Sequence, residues 1–183
     1  MDLKIHTTDS AHAESAALLE GVAEDLGFVP NLAATVAESP ALLAAFDGLR
    51  RAVGSGGLDP VLRETAGVAV GVAVDNRYGV AFHSTVLSRL GVDQTEIERM
   101  RAGHEPADSR TAAVYALARE LVLTRGKVAD GAVGRARDVG LTDAEILEVV
   151  AECTFAGLVG LVDNLAGRVE LDEFLRPSRW TMP

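Results

Sequence analysis

The sequence predicts an all-α protein, a single domain built from about eight helices, and three observations lead to it. The length of 183 residues suits one domain. Apolar residues recur at helical spacing, and Ser39-Pro40 and Asp59-Pro60 each place a capping side chain before a proline, which is typical of a helix start. Finally, 48% of the residues are hydrophobic but only 4% are aromatic, so the core must consist of closely packed Ala, Val and Leu.

The helices are predicted from apolar spacing, from capping residues and from glycine breakers such as Gly27 and the run 54–57. In chain order we expect an irregular lead-in over residues 1–8 and helices over about 10–25, 31–37, 40–53, 60 onward, 78–90, 94–101, 110–124, 130–139 and 143 onward. Gly157 and Gly160 are possible irregularities in the last of these.

The run from Gly67 to Val74 allows two interpretations. Its valines, Val68, Val70, Val72 and Val74, alternate as they would in a strand, yet the residues between them are Ala and Gly rather than polar residues. A buried helix fits equally well, and periodicity alone does not choose between the two.

Two segments, Asp93–Glu96 and Thr142–Glu145, have the spacing of a capping box and are expected to open helices. The pair Arg99 and Arg101 is expected to lie on a solvated face. From Asp172 onward the chain is predicted to be an exposed extension, in which Trp180 packs on a partner or back on the domain.

Composition excludes several classes of function. The net charge of −10 argues against nucleic acid and against anionic membrane surfaces, because both require a cationic face. The single cysteine, Cys153, excludes an internal disulfide and a multi-thiolate metal site, and it suits a reducing cytoplasm. The N-terminus has no apolar signal segment, and the longest uncharged apolar runs, of nine and ten residues, are too short to span a bilayer. We therefore expect a cytoplasmic protein.

Acid/base side chains lie in an apolar background only between residues 58 and 92, where Glu64 precedes one long apolar run and His83 lies in another. Taken alone, Glu64 is explained by the favourable interaction of a carboxylate with the dipole at a helix N-terminus. A lone histidine such as His83 is more often a structural, hydrogen-bonded residue. Together, a carboxylate and an imidazole suit general acid/base transfer. The other histidines, His6, His12 and His104, show no metal-ligand spacing, so no metal site is expected.

Residues 26–168 resemble the AhpD-like, or carboxymuconolactone decarboxylase, superfamily. The resemblance is carried by the segments Leu26–Leu32 with Ser39–Leu43, Leu58-Asp59-Pro60 with Arg63-Glu64, and Val80–Ser84 with Leu90-Gly91-Val92. It implies an AhpD-like helical domain over 26–170, preceded by a lead-in and helix (1–25) and followed by a C-terminal extension (171–183). It also implies a homo-oligomer, which is a trimer, a hexamer or a dimer.

The chain departs from the family at the redox centre. In the alkylhydroperoxidase branch a Cys-x-x-Cys pair follows the glutamate and precedes the histidine, and the corresponding positions here are Asn76 and Gly79. Peroxide reduction by disulfide cycling needs an attacking thiolate and a resolving thiol. The thiol peroxidase mechanism is therefore not expected.

The resemblance places Glu64 and His83 at the family's proton-relay positions, which makes them the predicted catalytic residues. Asn76, Tyr78 and Gly79 are the predicted substrate-binding residues, with Asn76 and Tyr78 more readily explained as turn and packing residues. Gly79 is expected to leave room for a small molecule beside His83. No cofactor is expected.

Three functions remain open. The first is an enzyme in which Glu64 and His83 transfer protons on a small molecule, by decarboxylation, isomerisation or a lyase-type step. The second is a non-catalytic binding or assembly relic of the alkylhydroperoxidase fold. The third is residual peroxidase (oxidoreductase) activity through Cys153, which is otherwise a small buried hydrophobic residue. An open cavity faced by both Glu64 and His83 favours the first, and a filled space around them favours the second.

Overall fold

A computed structural model describes all 183 residues and confirms the all-α prediction, with nine α-helices and one 3-10 helix in place of about eight helices. The elements are α1 (Ala13–Leu26), α2 (Asn31–Val36), α3 (Pro40–Gly54), α4 (Pro60–Ala73), α5 (Arg77–Arg89), α6 (Gln94–Arg101), α7 (Ser109–Thr124), α8 (Asp130–Asp138), α9 (Asp143–Leu165) and the 3-10 helix Glu173–Ser178.

Helix α4 resolves the ambiguity over residues 67–74 in favour of a helix as far as Ala73. This helix packs against α5, α6, α7 and α9, so nearly every residue from Leu62 to Gly71 is buried. A helix surrounded by other helices is apolar all round and loses the polar face that would mark its period in the sequence. The alternation of valines therefore does not indicate a strand.

The core has two parts, which meet at α5 and α9. One part joins α4 to α6, α7 and α8 and consists mainly of aliphatic residues. The other joins α1, α2 and α3 to α5 and α9 and contains Phe46 and Tyr78. Because α9 contributes to both parts and runs unbroken from Asp143 to Leu165, Gly157 and Gly160 cause no irregularity.

One of the two predicted capping boxes forms. Thr142 and Glu145 make both reciprocal hydrogen bonds at the start of α9. Asp93 opens α6 as predicted and accepts from Thr95 N, but no reciprocal box forms there, because Glu96 accepts from Ala107 N at 2.7 Å.

The predicted exposed extension after Asp172 is folded against the domain. Leu175 and Trp180 are buried, and Trp180 Nε1 donates to Arg101 O at 2.9 Å. The guanidinium of Arg101 donates to the carbonyls of Ser178 and Arg179, so Arg101 does not belong to a solvated face. These contacts attach the 3-10 helix to α5 and α6.

None of the helices combines the length and the apolar character that crossing a bilayer requires.

Candidate functional site

Glu64 and His83 meet between α4 and α5. Glu64 Oε2 lies 2.8 Å from His83 Nδ1, and both side chains are buried. The second carboxylate oxygen, Oε1, accepts a hydrogen bond from Arg63 Nε at 3.0 Å. A carboxylate on Nδ1 fixes the orientation of the imidazole ring and leaves Nε2 for another partner.

Space for the imidazole is provided by a glycine that the sequence analysis did not single out. A Cβ added to Gly67, one turn after Glu64 on α4, would lie 2.3 Å from His83 Cε1. Gly67 therefore lets α5 approach α4 closely enough for the ring to reach Glu64.

Substituting Gly67 by Ala is expected to displace His83 from Glu64 and to destabilise the protein by about 1–3 kcal/mol, as overpacking usually does. Gly48→Ala is the matched control: a Cβ at this position in α3 meets nothing within 4 Å, and alanine raises helix stability by about 0.5–1 kcal/mol over glycine. Thermal unfolding of both variants checks the prediction. Equal stability of the two would mean that the ring relocates without cost.

A third ionisable group, Glu152 of α9, adjoins the pair. It is 1% exposed, and its Oε1 lies 3.6 Å from His83 Nε2 with no hydrogen-bond partner. Sequence analysis missed it, although a lone glutamate between Val149 and Cys153 in an apolar helix was a signal for it. The imidazole is thus held between two buried carboxyl groups.

The protonation states of the three groups differ. Burial raises the pKa of Glu64, but the hydrogen bond and charge of His83, together with Arg63, outweigh it and leave that pKa below its usual value. Burial lowers the pKa of His83, but Glu64 and Glu152 outweigh it and leave that pKa above its usual value. Burial and the charge of Glu64 raise the pKa of Glu152 to about 7, against the attraction of His83. At neutral pH Glu64 is therefore a carboxylate and Glu152 is close to its midpoint, while the two carboxyl groups favour the imidazolium form of His83.

His83 forms part of the wall of a cavity of about 330 Å³ between α1, α2, α3, α5, α9 and the 3-10 helix. All five phenylalanines of the chain line this cavity, namely Phe28, Phe46, Phe82, Phe155 and Phe174. Glu64 and Glu152 lie behind His83 and do not reach the cavity. His83 is therefore the member of the group that a bound molecule would touch.

The three predicted substrate-binding residues have different positions. Tyr78 and Gly79 line the cavity, whereas Asn76 is fully buried outside it. Tyr78 donates its hydroxyl proton to Asp172, and burial raises the pKa of this phenol far above its usual value. Tyr78 therefore acts as part of the wall rather than as a proton donor.

Asn76 is the N-cap of α5, accepting from Gly79 N at 2.8 Å, and its amide donates to Ala156 O at 3.4 Å. A Cβ on Gly79 would lie 2.2 Å from Asn76 Nδ2. The expectation that Gly79 leaves room for a small molecule is corrected, because the space beside its Cα accommodates the asparagine amide.

The only thiol is unsuited to redox chemistry. Cys153 is buried, its Sγ lies 3.8 Å from Ala118 O, and burial raises the pKa of the thiol to about 12. A thiol with such a pKa is protonated at physiological pH and is a poor nucleophile. No group of three or more His, Cys, Asp or Glu side chains is arranged to hold a metal ion.

Comparison with known proteins supports the family resemblance and the fold. The sequence model of the carboxymuconolactone decarboxylase family matches residues 40–120, which include Glu64, Gly67 and His83. This segment of 81 residues is similar to the carboxymuconolactone decarboxylase family. The match and the solved structures below confirm the resemblance seen in the sequence. No curated protein is significantly similar to the chain.

Solved structures share the fold over almost the whole chain. An uncharacterized peroxidase-related protein from Ralstonia eutropha JMP134, described as an alkylhydroperoxidase AhpD core, has a TM-score of 0.81 at 23% identity, covering 97% of this chain and 96% of that one. A peroxidase-related protein from Silicibacter sp. TM1040 has a TM-score of 0.77 at 20% identity, covering 96% and 93%.

A third structure adds a bound ligand. The debrominase Bmp8, a cysteine-to-alanine variant in complex with 2,3,4-tribromopyrrole, has a TM-score of 0.72 at 16% identity, covering 88% of this chain and 87% of that one. At these identities the likenesses establish the AhpD-like fold and carry no activity over to this chain.

Proposed function

We propose that this protein is an enzyme that moves a proton to or from a small organic molecule, in a decarboxylation, an isomerisation or a related lyase-type step. The observation that carries the proposal is the buried Glu64–His83 pair, joined by a 2.8 Å hydrogen bond, at the wall of a cavity lined by phenylalanines. Perturbed ionisable groups at an apolar cavity are a common arrangement in active sites.

The proposed roles follow from the contacts of the imidazole. Glu64 holds Nδ1–H and stabilises the imidazolium, so Glu64 is a positioning residue. Nε2 is the nitrogen that exchanges a proton with the substrate. Glu152, 3.6 Å from Nε2, takes up or returns that proton between turnovers.

Protonation of Glu152 selects the direction of transfer. When Glu152 and His83 are both protonated, the imidazolium acts as an acid. When the two share a single proton and it lies on Glu152, Nε2 is unprotonated and acts as a base. Because the pKa of Glu152 is about 7, both forms are available near neutral pH, which suits general acid/base catalysis.

Peroxidase chemistry is disfavoured by the side chains present. Asn76 and Gly79 stand where the family's Cys-x-x-Cys pair lies, and Cys153 is a buried, protonated thiol without a second thiol. The second candidate is a non-catalytic binder, which is favoured by the position of Glu64 and Glu152 outside the cavity.

Deuterium exchange tests the proposal. Phenylpyruvate carries an acidic carbon beside its keto group, and NMR in D2O follows the replacement of its C3 protons. We expect the protein to accelerate this exchange and to be inhibited by a non-exchanging analogue, 3-phenylpropionate. Carboxymuconolactone, followed by CO2 release, is the second probe. Binding without turnover of either would favour the non-catalytic binder.

We also propose that the protein is a homo-oligomer, as the resemblance implies. Leu147, Leu161 and Leu165 lie on one side of α9 and are 67%, 75% and 61% exposed in the single chain. A row of exposed leucines of this kind is typical of a subunit contact.

Light scattering is expected to give the mass of a trimer, hexamer or dimer, and the Leu161→Glu substitution is expected to lower that mass. Leu123→Glu, on α7, is the matched control. A monomeric wild-type protein would contradict the proposal.

A further inference from the structure

The aromatic residues of this chain are distributed unevenly. Only 4% of the residues are aromatic, yet all five phenylalanines and one of the two tyrosines line the same cavity. The aliphatic core around α4 and α7 contains one aromatic residue, Tyr115. Phenylalanines that merely filled the core would be shared between its two parts. Their concentration around one cavity offers ring faces and edges to a flat, unsaturated ligand.

The mouth of the cavity is also aromatic. Phe28, 40% exposed, lies edge-to-face with Phe174 at a centroid distance of 5.3 Å. Exposing such a side chain to water is unfavourable, and a ligand covering it would remove that exposure.

A free cation lies at this mouth. Arg89, in the last turn of α5, is exposed, and its Cζ lies 5.2 Å from the ring centroid of Phe174. It has no carboxylate within ion-pair distance. The other arginine in the wall, Arg50, is already paired with Asp47 at 2.6 Å and Asp25 at 2.8 Å. Only Arg89 therefore has a guanidinium available to an anion entering the cavity.

Helix α5 relates this cation to the catalytic imidazole. Gly79, His83, Val86 and Arg89 all line the cavity along α5. His83 and Arg89 are separated by about 9 Å along the helix axis, at 1.5 Å per residue. A ligand that reaches both must therefore have about the length of a substituted aromatic ring.

We propose that the cavity binds an aromatic monoanion of about ten to thirteen non-hydrogen atoms, since a volume of about 330 Å³ holds about eleven small groups at about 30 Å³ each. Its ring lies among the phenylalanines and its carboxylate on Arg89. The placement of its reacting carbon toward His83 rests on the proposed function, whereas the binding mode does not. A single planar guanidinium matches a carboxylate in two-point contact and does not neutralise a dianion, which selects a monoanion.

Isothermal titration with three ligands of equal heavy-atom number tests the two parts of the proposal. The ligands are 1-naphthoate, the neutral 1-naphthamide and the saturated adamantane-1-carboxylate. We expect 1-naphthoate to bind at least tenfold more tightly than either of the others. Equal affinity for the amide would overturn the requirement for an anion, and equal affinity for the adamantane would overturn the requirement for an aromatic ring. Absence of naphthoate binding would overturn both.

Variants locate the anion contact. Arg89→Gln is expected to weaken 1-naphthoate binding about tenfold, to near the affinity of the amide, as loss of a charged hydrogen bond does. Arg135→Gln removes the same charge from α8, which contributes nothing to the cavity, and is expected to leave binding unchanged. Equal affinity of the wild-type and Arg89→Gln proteins would contradict the assignment.

The two proposals can fail separately. If the protein binds 1-naphthoate tightly but shows no activity, the proposed function alone is refuted. If the protein is active but binds the three ligands equally, the proposal of an aromatic monoanion alone is refuted.

Discussion

Replacing His83 by Gln is expected to lower the rate of phenylpyruvate deuterium exchange by about 10²–10⁴-fold, the usual contribution of a general acid/base group. Glutamine has no titratable proton, so the cavity wall loses the group proposed to exchange protons with the substrate. The amide still donates a hydrogen bond to Glu64, which prevents a buried carboxylate from being left with Arg63 alone. Glutamine is therefore a better test than alanine, which would vacate space and unpair Glu64.

The measurement is initial exchange rates by NMR together with the thermal unfolding temperature. His104→Gln is the matched control, since His104 is exposed and outside the cavity. We expect the control to exchange at the wild-type rate. An unchanged rate in the folded His83→Gln protein would refute acid/base catalysis by this imidazole and leave only the fold.

Replacing Glu152 by Gln is expected to stabilise the protein at pH 8 by about 1–3 kcal/mol and to have little effect at pH 5. The pKa of Glu152 is about 7 in the folded protein, above the ordinary value of 4.5 that applies to the unfolded chain. Between these values the native state holds a proton that the unfolded state has lost, so stability decreases as pH rises. Glutamine does not ionise and removes this loss.

The same variant is expected to lose activity. Base-initiated exchange by the wild-type protein should rise with pH through about 7, where Glu152 ionises and His83 can pass its proton on. In Glu152→Gln the imidazolium has no proton acceptor, so this limb of the pH profile should disappear. Gain of stability together with loss of activity would identify Glu152 as a functional group rather than a packing residue.

Thermal unfolding at pH 5 and pH 8 and a pH–rate profile check both effects, with Glu20→Gln on the exposed face of α1 as the control. A rate profile that is unaltered in Glu152→Gln would remove this residue from the relay. Destabilisation at pH 8 would mean that Glu152 is held as a structural ion pair with His83.

Local signals in the sequence predicted much of the fold. Ser39, Asp59 and Thr142 cap helices as expected, because a side-chain oxygen before a helix satisfies amide groups that the first turn leaves free. Asp93 and Glu96 have the same spacing as Thr142 and Glu145 but do not form a capping box. The carboxylate of Glu96 instead accepts a hydrogen bond from Ala107 N, in the loop after α6. The N-cap at Asp93 forms nevertheless, so it is the reciprocal box, rather than the cap, that a competing tertiary partner makes unpredictable from sequence.

The site was predictable to a lesser extent. Glu64 and His83 stood out as ionisable residues in apolar runs, and the family resemblance paired them. Glu152 and Gly67 were overlooked, since each acts through a contact with His83 that spacing along the chain does not reveal. The catalytic roles of all these residues stay predictions until the variants are measured.

The sequence by itself determined the all-α class, most helix starts and the absence of a Cys-x-x-Cys pair, because these depend on residue type and on neighbours within a turn or two. Only the tertiary structure decided that residues 67–73 are helical, that the C-terminal segment folds back through Trp180, and that five distant phenylalanines enclose one cavity beside His83. These features depend on which helices pack together, and packing joins residues whose separation in the chain carries no periodic signal.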